Sequence, residues 1–141
     1  MPFWMDPVVE NDPLTDRILG CAIKVSKALG QGFLEKVYEN ALAHELRKEG
    51  YKVEAQKGIE VWYDGVMVGQ FVVDLLVEGQ VLIELKGVKA LDDSHLAQGL
   101  NYLRSTGLQV CLLLNFGAQK LEIRRLVPGP FWTPVRASEG R

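Results

Sequence analysis

At Tyr51 the hydrophobic repeat of this chain changes from the helical period to the strand period, and no other feature restricts the fold as much. Before it, Leu14, Ile18, Cys21, Ala22, Val25 and Leu29 recur at helical spacing behind Asn11-Asp12-Pro13, a cap followed by a proline suited to a first helical turn. Gly30-Gln31-Gly32 breaks that pattern. A second helix is expected from about Phe33 to Glu49, with Leu34, Val37, Ala41, Leu42 and Leu46 as its apolar stripe and Gly50 closing it. Beyond Tyr51, Val53–Tyr63, Val66–Val77 and Val81–Lys86 read as strands separated by turns at Asp64-Gly65 and around Glu78-Gly79, which predicts a three-stranded antiparallel meander.

Asp92 and Asp93 then offer caps to a third helix that ends near Gly107 and turns Leu96, Leu100 and Leu103 to the core. Gly99 interrupts it, which reads as an imperfect helix rather than as a close backbone approach. Leu108–Phe116 contains the unbroken run Val110-Cys111-Leu112-Leu113-Leu114, the mark of a central strand covered on both faces, and Lys120–Val127 alternates as a last strand. The predicted order is ααβββαββ, an α/β domain.

A chain of 141 residues with 48% hydrophobic and 24% charged residues suits one core. Residues 13–127 are expected to form it, with an N-terminal arm over residues 1–12 and a polar C-terminal tail over 128–141 after Pro128-Gly129-Pro130. Cys21 and Cys111 have no CxxC spacing and no histidine cluster beside them, so they read as buried free thiols rather than zinc ligands. No apolar run is long enough to span a membrane, and Asp6, Glu10 and Asp12 stand where a signal peptide needs a basic start; a cytoplasmic protein is expected. Residues 1–85 carry 8 Lys+Arg against 14 Asp+Glu, while residues 86–141 carry 8 against 4, so a net charge of −2 conceals halves of −6 and +4. The basic half can still meet phosphate.

The strongest chemical signal is Asp74 followed ten residues later by Glu84-Leu85-Lys86 within very apolar strands. Glu84 and Lys86 share a strand face with Leu82. A three-residue loop at Glu78-Gly79-Gln80 sets Val77 opposite Val81 and Asp74 opposite Glu84, with both carboxylates on one face; a two-residue loop moves Asp74 to the wrong face. The longer loop is the expected one. Two carboxylates brought together half-buried repel unless a proton or cation intervenes, and oxygen ligands suit Mg2+ or Mn2+. Spacing alone equally allows a plain Glu84–Lys86 surface pair with Asp74 as a strand-end charge.

Asp74 with Glu84-Leu85-Lys86 resembles the PD-(D/E)XK nuclease superfamily, in which an Asp on one strand faces Glu-x-Lys on its antiparallel neighbour. Gly32-Phe33-Leu34-Glu35-Lys36-Val37-Tyr38 spells GxxExxY. Together with His95-Leu96-Ala97-Gln98, Asn101-Tyr102-Leu103 and Asn115-Phe116-Gly117, it makes residues Thr15 to Val127 similar to the small GxxExxY protein family. The resemblance implies a restriction-endonuclease-like core and metal-dependent hydrolysis of nucleic acid, with DNA the expected substrate and a homodimer compatible with it. By position it implies that Asp74, Glu84, the Leu85 carbonyl and Glu35 hold Mg2+ or Mn2+, with Lys86 orienting water or the scissile phosphate.

Other motif residues have second-rank parts. Tyr38 shares a helix face with Glu35 and is expected in the core. His95, Gln98 and Tyr102 fall at i, i+3 and i+7 as a polar stripe opposite the leucines; the wet face of the helix is the ordinary reading, while the resemblance gives Gln98 a place at the metal site and His95 and Tyr102 phosphate or base contacts. Asn115-Phe116-Gly117 reads as turn chemistry. Val72 and Val73 stand where such sequences often carry an arginine before the aspartate. Lys89, Arg104, Lys120, Arg124 and Arg125 would then have to supply phosphate contacts, with Arg124 and Arg125 on opposite strand faces. Two rival readings remain: a non-catalytic nucleic-acid- or protein-binding module on the same fold, and a scaffold that presents Trp4, Trp62 or Trp132 to a partner.

Overall fold

A computed structural model describes residues 12–129; the expected arm, apart from Asp12, the tail beyond Gly129, and Trp4 and Trp132 lie outside them. The elements follow the predicted order: α1 (Pro13–Leu29), α2 (Glu35–Lys48), β1 (Val53–Tyr63), β2 (Val66–Val77), β3 (Val81–Lys86), α3 (Asp93–Thr106), β4 (Val110–Asn115) and β5 (Glu122–Leu126). The five strands form one sheet in the order β1-β2-β3-β4-β5. All neighbours are antiparallel except β3 and β4, whose parallel pairing is made possible by α3 as the crossover. Helices α1 and α2 cover one face and α3 the other, so β3 and β4 are buried on both sides and read as unbroken apolar runs.

Local signals explain the ends of the elements. Asp12 caps α1, its carboxylate accepting from the Thr15 N–H at 3.3 Å and the Thr15 hydroxyl at 2.6 Å, with Pro13 in the first turn. Asp92 caps α3 and accepts from the Ser94 and His95 N–H groups. Cys21 and Cys111 are buried free thiols in the cores on opposite sheet faces.

Helix α2 starts at Glu35, not Phe33, and buries Tyr38, Glu39, Leu42, Ala43 and Leu46. Leu34 is 81% exposed and Val37 38%, because the Tyr38–Leu42–Leu46 row, spaced four apart, takes the sheet side. Gly99 marks a close approach: a Cβ there would lie 2.5 Å from Leu126 Cδ1 and 3.3 Å from Cys111 Sγ, so the missing side chain lets α3 settle onto β4 and β5.

Asn115-Phe116-Gly117 is more than turn chemistry. Asn115 is fully buried; its Oδ1 accepts from the Val88 and Gly117 N–H groups, both at 3.0 Å, and its Nδ2 donates to Glu122, which also receives the Leu91 N–H. This network ties down the loop that leaves β3. Gly117 does not have positive φ; a Cβ on it would stand 2.5 Å from the Gly87 carbonyl carbon and from the Val88 nitrogen, both backbone atoms. Gly117→Ala is therefore expected to lower stability by about 2 kcal/mol, read as a fall in the denaturation midpoint. An unchanged midpoint would show that the Gly87–Val88 backbone yields freely.

The hairpin of β1 and β2 runs past the rest of the sheet. Strand β3 pairs with β2 only over Leu75–Val77, and Val66, Met67, Val68, Phe71 and Val72 are exposed.

Candidate active site

The β2–β3 register follows the longer loop: Val77 lies opposite Val81, Leu76 opposite Leu82 and Leu75 opposite Ile83, which brings Asp74 to Glu84. At that point side chains take over the ladder. The Asp74 N–H donates to Glu84 Oε1 at 2.9 Å, and the Leu85 N–H donates to Asp74 Oδ2 at 2.8 Å. Each carboxylate thus spends one oxygen as a substitute backbone acceptor and keeps the other. The Lys86 carbonyl accepts from the Phe116 N–H on the β4 side, and since successive residues of a strand alternate direction, the Leu85 carbonyl is directed to the β2 side, where Asp74 stands.

The pleat also slips here. Val53 and Leu75 belong to the core under α1 and α2, whereas Ile59 and Val73, which would share their faces in a regular sheet, belong to the core under α3. The break falls at Gln56 and Asp74, between the Ala55–Leu75 and Lys57–Val73 pairs, and Gln56 has φ +53°.

Burial and repulsion tune the pair. Glu84 is 5% exposed, and its carboxyl is pushed up to about 7, first by burial and then by the negative charge of Asp74. Burial also raises Asp74, partly offset by the Leu85 N–H. Lys86 Nζ sits 3.8 Å from Glu84 Oε2 and donates to Gln98 Oε1 at 3.1 Å. The polar stripe of α3 is thus not its wet face: Tyr102 is buried, and Gln98 and His95 are half-buried toward the sheet. The Tyr102 hydroxyl is pushed up to about 12 by burial and by Glu84 and Asp74, so it stays protonated beside them.

Glu35 arrives from the first turn of α2. It is exposed, and its Oε2 accepts from the Gly87 N–H at 3.1 Å, just past the end of β3. A side chain at Gly87 would crowd Glu35 Cγ at 3.2 Å. The structure therefore assembles Glu35, Asp74, Glu84, Lys86 and Gln98 around one strand end.

Two motif residues stand elsewhere. Tyr38 is 2% exposed, stacks on Phe116 at 4.6 Å, and its hydroxyl accepts from the Phe33 N–H and donates to the Gly30 carbonyl, which pins the α1–α2 loop. His95 is a helix cap, its Nδ1 accepting from the Asp92 N–H at 3.1 Å. Of the expected phosphate contacts, Arg124 pairs with Glu122 at 3.2 Å and Arg125 with Asp12 at 3.4 Å, so both serve the fold; Lys89 and Lys120 are exposed.

Two residues escaped the sequence reading. Glu39 is 4% exposed, and its Oε1 accepts from Gln56 Nε2 at 2.8 Å; the same nitrogen reaches Asp74 Oδ1 at 3.4 Å. The available signal was Glu39 lying one turn after Glu35 and hence on the same helix face.

Among the described residues no three of His, Cys, Asp and Glu stand in a metal-binding group. The donor chemistry nevertheless fits a hard divalent cation. The carboxylates of buried Glu84 and half-buried Asp74 repel each other, and each retains one oxygen outside the ladder bonds; Mg2+ is commonly held by one or two carboxylates with water completing its shell. No helix among the described residues is long and apolar enough to cross a membrane.

No curated protein and no solved structure matches the chain. The family model of the PD-(D/E)XK nuclease superfamily matches residues 12–126, nearly the whole described domain. Such nucleases generally use divalent metals and act on nucleic acid. With the mixed sheet, its flanking helices and the acidic strand end already in place, that match assigns the chain to the PD-(D/E)XK nuclease superfamily.

Proposed function

We propose that this chain is a Mg2+- or Mn2+-dependent nuclease that hydrolyses phosphodiester bonds, in DNA before RNA, in the cytoplasm. The observation that carries the reading is the pair of bonds by which the Asp74 N–H donates to Glu84 and the Leu85 N–H donates to Asp74, which leaves one oxygen of each carboxylate outside the ladder for a cation beside the Lys86 ammonium.

Asp74, Glu84 and the Leu85 carbonyl would hold the cation, with Glu35 approaching from α2. When bound, the cation supplies Lewis acidity toward a phosphate oxygen and lowers the pKa of a bound water. Lys86, held by Gln98, presents a fixed positive charge to the scissile phosphate or to the attacking water. Glu84 is ionised above about pH 7, so its binding of a cation strengthens from neutral to mildly alkaline pH. Lys89, exposed on the loop after β3, would meet the flanking backbone phosphates, a contact that weakens with salt. Cutting both strands in one encounter takes two such sites, which is why a homodimer belongs to the reading.

The test is cleavage of duplex, single-stranded and branched DNA and of RNA by the purified chain with Mg2+ or Mn2+, with EDTA and the Asp74→Asn variant beside it. Cleavage is expected that needs metal and disappears in the variant. No cleavage above the variant on any substrate would reject the nuclease reading in favour of a binding module on the same fold.

A further inference from the structure

Gln56 stands out by its backbone. Among the described residues three other than glycine have positive φ, and the other two, Asp64 and Glu78, sit in the hairpin turns where that conformation is ordinary. Gln56 is in the middle of β1 at φ +53°, between two regular pairs with β2. Asparagine and glycine adopt this conformation more readily than glutamine, so something must hold it there.

The side chain shows what. The Gln56 amide nitrogen carries two hydrogens and lies between two carboxylates, donating to Glu39 Oε1 at 2.8 Å and reaching Asp74 Oδ1 at 3.4 Å. Glu39 is buried, and its second oxygen is held by Lys36 Nζ at 2.8 Å. Beyond Asp74 the chain of bonds continues through Oδ2 to the Leu85 N–H. The sequence Lys36–Glu39–Gln56–Asp74–Leu85 thus links α2 to β3 through β1 and β2. The amide separates two negative charges that otherwise repel, since the charge of Glu39 bears on Asp74.

We propose that Gln56 is a positioning residue: anchored on buried Glu39, it holds the Asp74 carboxylate in the orientation in which it binds a divalent cation. Partners of metal ligands fix the ligands' orientation in this way, and their loss commonly weakens metal binding 10- to 100-fold. The metal part of this inference rests on the reading of Asp74 as a ligand; the orientation of Asp74 does not.

The test uses Gln56→Gly, in which glycine adopts the left-handed backbone freely and the amide is gone, and Gln56→Asn, which tolerates the backbone but is too short to bridge the two carboxylates. Mn2+ titration followed by the electron spin resonance of the free ion gives the affinity. Amide exchange of Leu85, measured without metal, gives the hold on Asp74. Both variants are expected to fold, with midpoints lowered because Glu39 loses a donor, to exchange the Leu85 N–H at least ~10-fold faster relative to its β3 neighbours, and to bind Mn2+ about 10- to 100-fold more weakly. A purely structural Gln56 would move the midpoint and leave the Leu85 exchange in step with the rest of the strand. Unchanged relative protection of Leu85 overturns the inference. A parent chain that takes up no Mn2+ overturns the metal reading instead, and Leu85 exchange still decides the part played by Gln56.

Discussion

Glu84→Gln is expected to reduce metal-dependent cleavage by at least ~10³-fold while leaving the fold intact. The substitution keeps the side-chain length and an oxygen that accepts the Asp74 N–H, so the rung between β2 and β3 survives. What it removes is the negative charge. Asp74 alone is a poor site for a divalent cation, and Lys86 Nζ, 3.8 Å from Glu84 Oε2, loses its counter-charge but keeps Gln98. Single-turnover cleavage at saturating Mg2+ or Mn2+ measures the loss. A variant that retained a tenth of the parent rate would show that the reacting phosphate is not held here, whatever the family membership. Gln98→Ala should act more gently, since Lys86 keeps Glu84 as a neighbour.

How far this site was legible can be traced residue by residue. The Asp74–Glu84 juxtaposition followed from one local decision, the three-residue loop at Glu78-Gly79-Gln80, because a strand's period of two propagates the turn register without loss. Glu84 and Lys86 sharing one face followed from alternation along β3. The inward turn of the α3 stripe did not follow: His95, Gln98 and Tyr102 look like a wet face until the sheet edge is there to receive them. The stripe of α2 misled for a related reason. Leu34 and Val37 are apolar, yet they remain exposed while Glu39 goes in, because Gln56 and Lys36 satisfy its carboxylate. A buried charge whose partner lies on a different element leaves no trace in a hydrophobic pattern. The slip at Gln56 is equally silent, because a non-glycine residue of positive φ within a strand carries no compositional mark. Gly117 and Gly99 read as turn and flaw because the atoms that exclude a Cβ come from residues distant in sequence, Gly87 and Val88 for the first and Leu126 and Cys111 for the second.

The same substitution at Glu84 should raise stability at alkaline pH. The Glu84 carboxyl lies near 4.5 in an unfolded chain and is pushed up to about 7 in the fold, so between those values the native state binds the proton that the unfolded state has released. Where the native state binds more protons, stability falls as pH rises. The metal-free parent therefore loses stability from about pH 4.5 upward and carries the full penalty above about 7; that span corresponds to about 3 kcal/mol, and Asp74, raised in the same direction, adds to the slope. Glu84→Gln has no such proton. Against the parent it should gain up to about 3 kcal/mol at pH 8 and little at pH 4.5, where Glu84 is protonated in the fold and still half protonated in the unfolded chain. Denaturant unfolding of both proteins in EDTA at the two pH values measures the difference, and effects of other titrating groups common to both cancel in the comparison. Equal gaps at both pH values would mean that Glu84 is not the group whose burial opposes folding. Adding Mn2+ at pH 8 should stabilise the parent, by about 2.7 kcal/mol at a hundred times the Kd, and leave Glu84→Gln nearly unmoved. That contrast separates a carboxylate pair destabilised because it awaits a cation from one that merely terminates a strand: only the first converts its electrostatic penalty into metal affinity.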